Sequence, residues 1–400
     1  MGTLYFGSQR VSPIMASGSM SVDTESPQYK TAILLQGLDS NGVLKSLPAE
    51  DIVFTGVEDI DDGILKEAYK NNNRVRTASF TALTEVSGDY ACQNVFNGCN
   101  NLISTNLGLL EEVSGIYGCN SMFYGCTSLA LVDLSSLSTV SGNNACQSMF
   151  SGCTSLTSVD LSSLSTVSGN NACQSMFNSC TSLTSADLSS LTSMSGRSQY
   201  VNMFYSCTSL ASVDLSNLTT ITSSAPTSTT ESGLCREMFY SCTSLTSVDL
   251  SSLTTITTGA YSGQIYATGA VCEMFKNCTS LASVDLSALT TINGKCTCYG
   301  MFEGCSSLTS IDLSSLATIT GDGDNCQRMF VGCTSLQTLS FPALSSINNN
   351  STFYNMLGGV TGCTVHFPSN LQSVIGSWTD VTNGFGGTNT TVLFDLPATE

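Results

Sequence analysis

Apolar and polar positions along most of this chain follow one pattern that returns about every 27 residues. Within one copy, residues 156–161 alternate between apolar and polar side chains, which is the period of a β-strand. Val159 and Leu161 would then face inward, and Leu164 and Val167 follow them as further inward positions. The pattern therefore predicts a strand and an inward-pointing turn in every copy.

A second segment of each copy has a different period. Residues 145–153 place Cys146, Met149, Phe150 and Cys153 at positions i, i+3, i+4 and i+7. This spacing puts four apolar side chains on one face of a helix, so it predicts a short helix.

The copies can be counted from a recurring phenylalanine. It lies at Phe96, Phe123, Phe150, Phe177, Phe204, Phe239, Phe275, Phe302 and Phe330. A decayed copy follows, so nine or ten copies span about residues 90–376. One unit of this kind cannot bury its apolar side alone, whereas stacked units can, so the sequence predicts a solenoid.

The cysteines bear on how the copies are held together. The chain has 19 Cys, an odd number, so at least one thiol stays free. If residues 145–153 are helical, Cys146 and Cys153 are about 10.5 Å apart along the axis, which is too far for a disulfide. We expect two columns of buried thiols, and bridges between neighbouring copies remain an alternative.

Composition excludes several classes of function. The net charge is −18, with 12 basic residues, so nucleic acid and anionic membranes are not expected as partners. A single histidine, His366, argues against multi-histidine metal sites and a Ser-His-Asp triad. We therefore predict no catalytic residues, no metal and no cofactor.

Targeting signals are not evident in the sequence. The first 20 residues lack a basic region followed by an apolar run, and no stretch of about 18 apolar residues occurs. We expect a chain that is made in a cytoplasm, is not inserted in a membrane, and can reach a surface by joining a larger particle.

The motif MFxxCTSLTSVDLSSLTTI resembles the BspA-like leucine-rich repeat, and its Met-Phe-x-x-Cys form resembles the related DUF285 repeats. The matching positions include Leu129, Val132, Leu134, Leu156, Val159, Leu161, Leu245, Val248 and Leu250. The resemblance implies an α/β repeat solenoid, right-handed, with a parallel β-sheet on one face and short helices on the other. It also implies a surface protein that serves adhesion or recognition.

The ends of the chain do not repeat. Residues 4–11, 31–38 and 52–56 read as strands, so residues 1–89 are predicted to be a small β-rich attachment domain. Residues 90–376 are predicted to form the leucine-rich repeat solenoid, and residues 377–400 are expected to be its C-terminal cap. The opening LYFGSQRVSPIM weakly resembles the N-termini of tail-associated proteins in bacteriophages of gut bacteria.

A column of aspartates is the sharpest candidate site. One outward strand position holds Asp133, Asp160, Asp187, Asp214, Asp249, Asp285 and Asp312. Like charges at about 4.8 Å spacing repel, so an offsetting interaction is expected. Either the column binds a cation or polar ligand, or each Asp accepts hydrogen bonds from a nearby hydroxyl residue such as Ser162.

Two adjacent copies carry insertions, at residues 223–234 and 258–270. Both lie at the same point of the copy, so they should emerge side by side, and Tyr261 and Tyr266 are candidate ligand-binding aromatics. Tolerated loop growth is the alternative.

These features predict a non-enzymatic recognition or adhesion protein. We predict a phage virion component, tail-associated, that contacts a host cell-surface glycan or protein and joins other virion proteins through residues 1–89. A bacterial or protist surface adhesin at the cell surface is the alternative, and a polysaccharide-acting enzyme is a third. Assembly into a homo-oligomer stays open.

Overall fold

A computed structural model describes residues 4–6, 9–11, 14–16, 19–23, 51–63, 65–225, 233–259, 269–347, 352–375 and 384–399. It divides into two compact units, residues 1–186 and 187–400. In both units, consecutive repeats form coils whose short strands pair in parallel with those of the next coil. The predicted leucine-rich repeat solenoid with a parallel sheet is therefore confirmed.

The first unit contains β1 to β13 and the start of β14. The strands are β1 (Leu4–Phe6), β2 (Gln9–Val11), β3 (Ile14–Ala16), β4 (Ser19–Asp23), β5 (Asp51–Thr55), β6 (Thr77–Phe80), β7 (Glu85–Val86), β8 (Ser104–Asn106), β9 (Glu112–Val113), β10 (Leu131–Asp133), β11 (Thr139–Val140), β12 (Ser158–Asp160), β13 (Thr166–Val167) and β14 (Ser185–Asp187).

The second unit contains the remaining strands. They are β15 (Ser193–Gly196), β16 (Ser212–Asp214), β17 (Thr220–Ser223), β18 (Ser247–Asp249), β19 (Thr255–Thr258), β20 (Ser283–Asp285), β21 (Thr291–Lys295), β22 (Ser310–Asp312), β23 (Thr318–Gly323), β24 (Thr338–Ser340), β25 (Ser346–Ile347), β26 (Thr364–Pro368) and β27 (Thr391–Leu396). A 3₁₀ turn (Ser369–Leu371) and one short helix, α1 (Gln372–Ile375), follow β26.

Each complete coil contributes two strands rather than one. The first strand, such as β12, belongs to the sheet that the alternating pattern predicted. The second strand, such as β13, lies where an inward turn was predicted, and it pairs with β11 to form another parallel sheet. Leu164 and Val167 point into the core as expected, because the intervening turn keeps both on the inner side.

The predicted short helices are wrong for the described residues, where turns take their place. In residues 144–153, alternate N–H groups bond to the next coil, for example Ser148 N–H to the Gln174 carbonyl at 2.8 Å. The intervening groups bond three residues back, as Gln147 N–H does to the Asn144 carbonyl. An α-helix would use all of these N–H groups internally and would leave none to join the coils.

A left-handed backbone conformation every fourth residue produces this turn segment. Asn144, Ser148 and Gly152 have φ of 56°, 54° and 75°. Asn and Gly accept this region at low cost, and all three residue types are poor helix formers. A four-residue period keeps Cys146, Met149, Phe150 and Cys153 buried, which is why the sequence imitates a helical period.

Aromatic rings form the centre of the core. In the first unit the rings of Tyr69, Phe96, Phe123, Phe150 and Phe177 stack with centroid separations of 5.2–5.4 Å and interplanar angles of at most 9°. The second unit repeats the arrangement from Phe204 to Phe330. Such pairs contribute about 0.5–1.5 kcal/mol each beyond the burial of their area.

The nineteen cysteines, all in the described part of the chain, are buried and free, as expected for structural thiols. The second thiol of a coil donates a hydrogen bond to the phenylalanine carbonyl of the preceding coil. Cys153 Sγ lies 3.2 Å from the Phe123 carbonyl oxygen, and Cys180 Sγ lies 3.1 Å from that of Phe150. The prediction of buried, free thiols is therefore confirmed, although the helical distance between Cys146 and Cys153 that supported it does not apply.

The sheet of the first unit begins well before residue 90. Strands β4, β5 and β6 pair in parallel and lead directly to β8. Residues 4–11, predicted as one strand, form the antiparallel pair β1–β2, and residues 52–56 correspond to β5. The strand predicted at 31–38 lies outside the described residues.

Burial makes the thiols inert in the folded chain. Desolvation raises the pKa of Cys173 to about 12, so almost no thiolate is present at neutral pH. Ellman's reagent should therefore react with essentially none of the 19 thiols of the native protein and with all 19 in guanidinium without a reductant. A count well below 19 in denaturant would reveal disulfides and contradict this structure.

Candidate binding face

The first strands of the coils form an outward surface that we call the strand face. In the second unit it comprises β16, β18, β20 and β22, each of which exposes a Ser and an Asp and turns the residue between them inward. The register places the aspartates directly over one another, in the order Asp214, Asp249, Asp285 and Asp312. The predicted column is therefore present within this unit.

Each aspartate of the column caps the turn that follows it. Asp160 Oδ1 accepts a hydrogen bond from the Ser162 N–H at 2.9 Å, and Asp249 and Asp312 bind the second residue after them in the same way. These bonds lower the pKa of the three carboxyl groups, with the serine side chain as the largest cause. The expected contact between Asp and a nearby Ser is confirmed.

The turn requires a side-chain acceptor rather than a negative charge. In the first unit, Asn106 is in register with Asp133, and its Oδ1 accepts the Gly108 N–H at 2.9 Å. Because an amide performs the same task, the structural role of the column does not explain why the other copies carry a carboxylate.

The hydroxyl groups around the column connect successive coils. Ser163 Oγ donates to the Ser135 carbonyl at 2.5 Å. On the other sheet, Thr254 Oγ1 donates to the Thr219 carbonyl at 3.0 Å. Serine and threonine are abundant because each can satisfy a carbonyl of the preceding coil, and a single sequence read in isolation does not reveal these pairs.

An open depression of about 520 Å³ lies on the strand face toward the end of the column. Its lining includes Ser283, Asp285, Ser310, Asp312, Ser340 and Pro342. Hydroxyl and carboxylate groups line this shallow concavity beside apolar groups such as Ile311 and Pro342, so it offers a ligand both hydrogen bonds and apolar contact.

The two insertions begin side by side. Ser223 at the end of β17 is in register with Thr258 at the end of β19. Tyr261 and Tyr266 lie outside the described residues, so their role in ligand binding stays a prediction.

A row of charged side chains on the turn segments was not predicted from the sequence. Arg236 lies 3.8 Å from Glu273, Lys276 lies 2.6 Å from Glu273 and 3.3 Å from Glu303, and Arg328 binds Glu303 at 2.9 Å. The partners that lie on different coils are 25 to 37 residues apart in the sequence, and they meet only because the coils stack. The row neutralises carboxylates that are more than four-fifths buried.

In the part of the chain that the structure describes, no group of three His, Cys, Asp or Glu side chains is placed to hold a metal ion. His366 Nδ1 lies 2.9 Å from Asp395 Oδ1 and joins β26 to β27. Among the described residues, no helix is long and apolar enough to cross a membrane.

Comparison with known proteins agrees with this architecture. The sequence matches a protein-family model described as a BspA type leucine-rich repeat region of six copies, over residues 64–174, 91–231, 146–268 and 271–377. A search of curated proteins found no match.

Solved leucine-rich repeat structures are similar at low identity. One from Bacteroides ovatus is 18% identical, covers 89% of this chain and 96% of its own, and has a TM-score of 0.36. A leucine-rich cell surface protein from Faecalibacterium prausnitzii is 16% identical, with 98% and 95% coverage and a TM-score of 0.29. A leucine-rich repeat protein from T. pallidum is 22% identical, with 58% and 78% coverage and a TM-score of 0.29.

The equivalence of Asn106 and the column aspartates can be tested at one position. Asp249→Asn should leave the free energy of unfolding within about 0.5 kcal/mol, because the amide keeps the acceptor for Ser251. Asp249→Ala should cost about 1 kcal/mol, because the acceptor is lost. Urea denaturation of the full chain measures both, and equal losses for Asn and Ala would contradict the turn-capping role.

Proposed function

This chain belongs to the BspA-type leucine-rich repeat family, and from that premise we propose that it is a non-enzymatic recognition protein whose strand face binds a host-surface glycan. The observation that carries the proposal is the column from Asp214 to Asp312. It retains carboxylates although Asn106 performs the same turn-capping task with an amide.

The chemistry of the strand face suits a sugar polymer. The backbone N–H of each turn bonds Oδ1 of its aspartate, and a carboxylate has further acceptor capacity for a hydroxyl donor from a ligand. The neighbouring serines supply hydroxyl groups, and parallel strands repeat this pair of groups about every 4.8 Å. A ligand with repeated hydroxyl groups can therefore form many modest hydrogen bonds, each contributing about 1 kcal/mol.

The carboxylates of the column favour binding over acid–base catalysis. General acid–base chemistry on sugars uses two carboxyl groups whose environments separate their pKa values. Asp160, Asp249 and Asp312 each have a serine two residues on as partner, and that serine lowers the pKa of each. These three pKa values are moved in the same direction and not apart, which favours a repeated contact surface over a polysaccharide-acting enzyme.

Single substitutions along the column test the binding role. Asp214→Asn, Asp249→Asn and Asp285→Asn preserve the turn acceptor and remove one charge each. We expect each to weaken retention on the best-bound member of a printed array of cell-surface glycans by about two- to fivefold. Glu111→Gln, an equal charge change beside the second sheet, is the control and should bind normally.

The pattern of losses distinguishes the candidate functions. Small losses that accumulate in double variants support a distributed binding surface. Complete loss of a glycan-cleaving activity at one position, with the others unaffected, would instead establish an enzyme. Deleting residues 223–234 separates binding at the loops from binding at the strand face.

For the location of this recognition role we propose a phage tail, with residues 1–89 joining other virion proteins. The resemblance of LYFGSQRVSPIM to tail-associated proteins supports this placement, and family membership supports the alternative, an adhesin on a cell surface. Immunogold labelling with an antibody against residues 90–376 should decorate the tails of particles released from the native source. Label on cells with bare particles would overturn the virion placement and favour the adhesin.

A further inference from the structure

One coil of the first unit departs from its neighbours at its outward positions. Residues 114–140 and 141–167 have equivalent positions 27 apart, so the second coil is an internal reference for the first. At four positions an apolar residue replaces a polar one: Ile116 for Asn143, Tyr117 for Asn144, Tyr124 for Ser151 and Leu131 for Ser158. Three of the four are at least 40% exposed, so burial in the core does not account for them.

Part of this coil forms a continuous apolar surface with the preceding coil, which we call the apolar edge: Tyr90, Ile116 and Tyr117. The rings of Tyr90 and Tyr117 stack at 5.2 Å with an interplanar angle of 11°. Lys66 Nζ lies 4.9 Å from the centroid of the Tyr90 ring. Tyr90 and Ile116 are 39% and 40% exposed, so the edge of this stack and an aliphatic side chain face solvent together.

The two tyrosines occupy backbone conformations that disfavour them. Tyr90 and Tyr117 have φ of 58° and 56°, where the following two coils have Asn144 and Asn171. Asparagine visits this left-handed region readily, whereas a bulky aromatic residue there is uncommon. The left-handed backbone therefore disfavours tyrosine at both positions.

Ile116 interrupts a row of backbone contacts. At the equivalent position Asp62 accepts the Asp89 N–H at 2.6 Å, Asp89 accepts the Ile116 N–H at 2.7 Å, and Asn143 accepts the Asn170 N–H at 2.9 Å. An isoleucine side chain has no acceptor to offer Asn143. All three residues of the apolar edge are thus placed at the expense of local stability, which is typical of residues retained for contact with a partner.

The surroundings indicate the chemistry of that partner. Asp62 and Asp89 precede Ile116 in the same row, Lys66 lies against the Tyr90 ring, and the whole chain carries a net charge of −18, so acidic groups predominate. A second copy would bring the same carboxylates toward one another, whereas a basic partner would complement them. We propose that the apolar edge is the docking surface for a protein segment that presents an apolar anchor between Lys or Arg residues. This inference rests on the proposed recognition role but uses a surface distinct from the strand face.

Residues of the neighbouring coil supply the test variant. Tyr90→Asn, Ile116→Asn and Tyr117→Asn combined in the full chain restore the left-handed asparagines and the missing acceptor. The probe is a short fluorescent peptide of alternating Leu and Lys, measured by anisotropy at physiological salt. We expect the triple variant to bind it about tenfold more weakly or worse, while its melting temperature stays within about 1 °C of the parent or rises.

Matched controls separate this surface from general acidity and from the strand face. Asn170→Ser with Asn171→Ser, the same rows two coils away, and Asp249→Asn should leave peptide affinity unchanged. A peptide of alternating Ser and Lys, which has no anchor, should bind the parent weakly.

Four outcomes would overturn the inference. The first is a parent protein that does not bind the Leu-Lys peptide, and the second is a triple variant that binds it as tightly as the parent. The third is a triple variant whose melting temperature falls by several degrees while its peptide affinity is unchanged. The fourth is a triple variant that loses glycan binding or self-association and not peptide binding. Failure of the proposed glycan role can be distinguished from these outcomes, because it would be seen only in the glycan retention of the column variants on the array.

Discussion

The backbone hydrogen bonds between successive coils are the constraint on which the structure depends. Short strands of two or three residues cannot be stable alone, and the turn segments send alternate N–H groups to the next coil. Every coil must therefore place its backbone at the same height and in the same register as its neighbour. Once this is satisfied, equivalent side chains lie over one another, and a residue type is selected for how well it packs against its own kind.

The unusual composition follows from that self-stacking. Phenylalanine rings stack nearly parallel, and thiols fit the narrow space beside them while donating to a carbonyl. Serine, threonine and asparagine connect each coil to the preceding one without the repulsion that the stacked carboxylates of the strand face carry. Where charges do stack on the turn segments, as at Glu273 and Glu303, Lys276 lies between them.

The buried positions of each coil could be predicted from the sequence, but the backbone conformation at those positions could not. The alternation around Val159 identified the strand, and the column of aspartates with its serine partners could be read from the motif. The turn segment was mistaken for a helix because a four-residue period and a 3.6-residue period bury the same residues, Cys146, Met149, Phe150 and Cys153. The partners of Lys276 and of the serine hydroxyls could not be read from the motif, because they lie a whole coil away. The apolar edge required both the repeat alignment and the φ angles.

The similarity of neighbouring coils has a consequence for folding. Residues 145–171 and 172–198 are identical at 19 of 27 positions, so a nascent chain that pairs one coil out of step could still form many of its backbone hydrogen bonds. Such a slip would form a long-lived kinetic trap, since many contacts must break together to correct it. The irregular coils break this degeneracy. The tyrosines at 90 and 117 and the two insertions at different spacing mark unique positions along an otherwise uniform chain, so they define which coil is which during assembly.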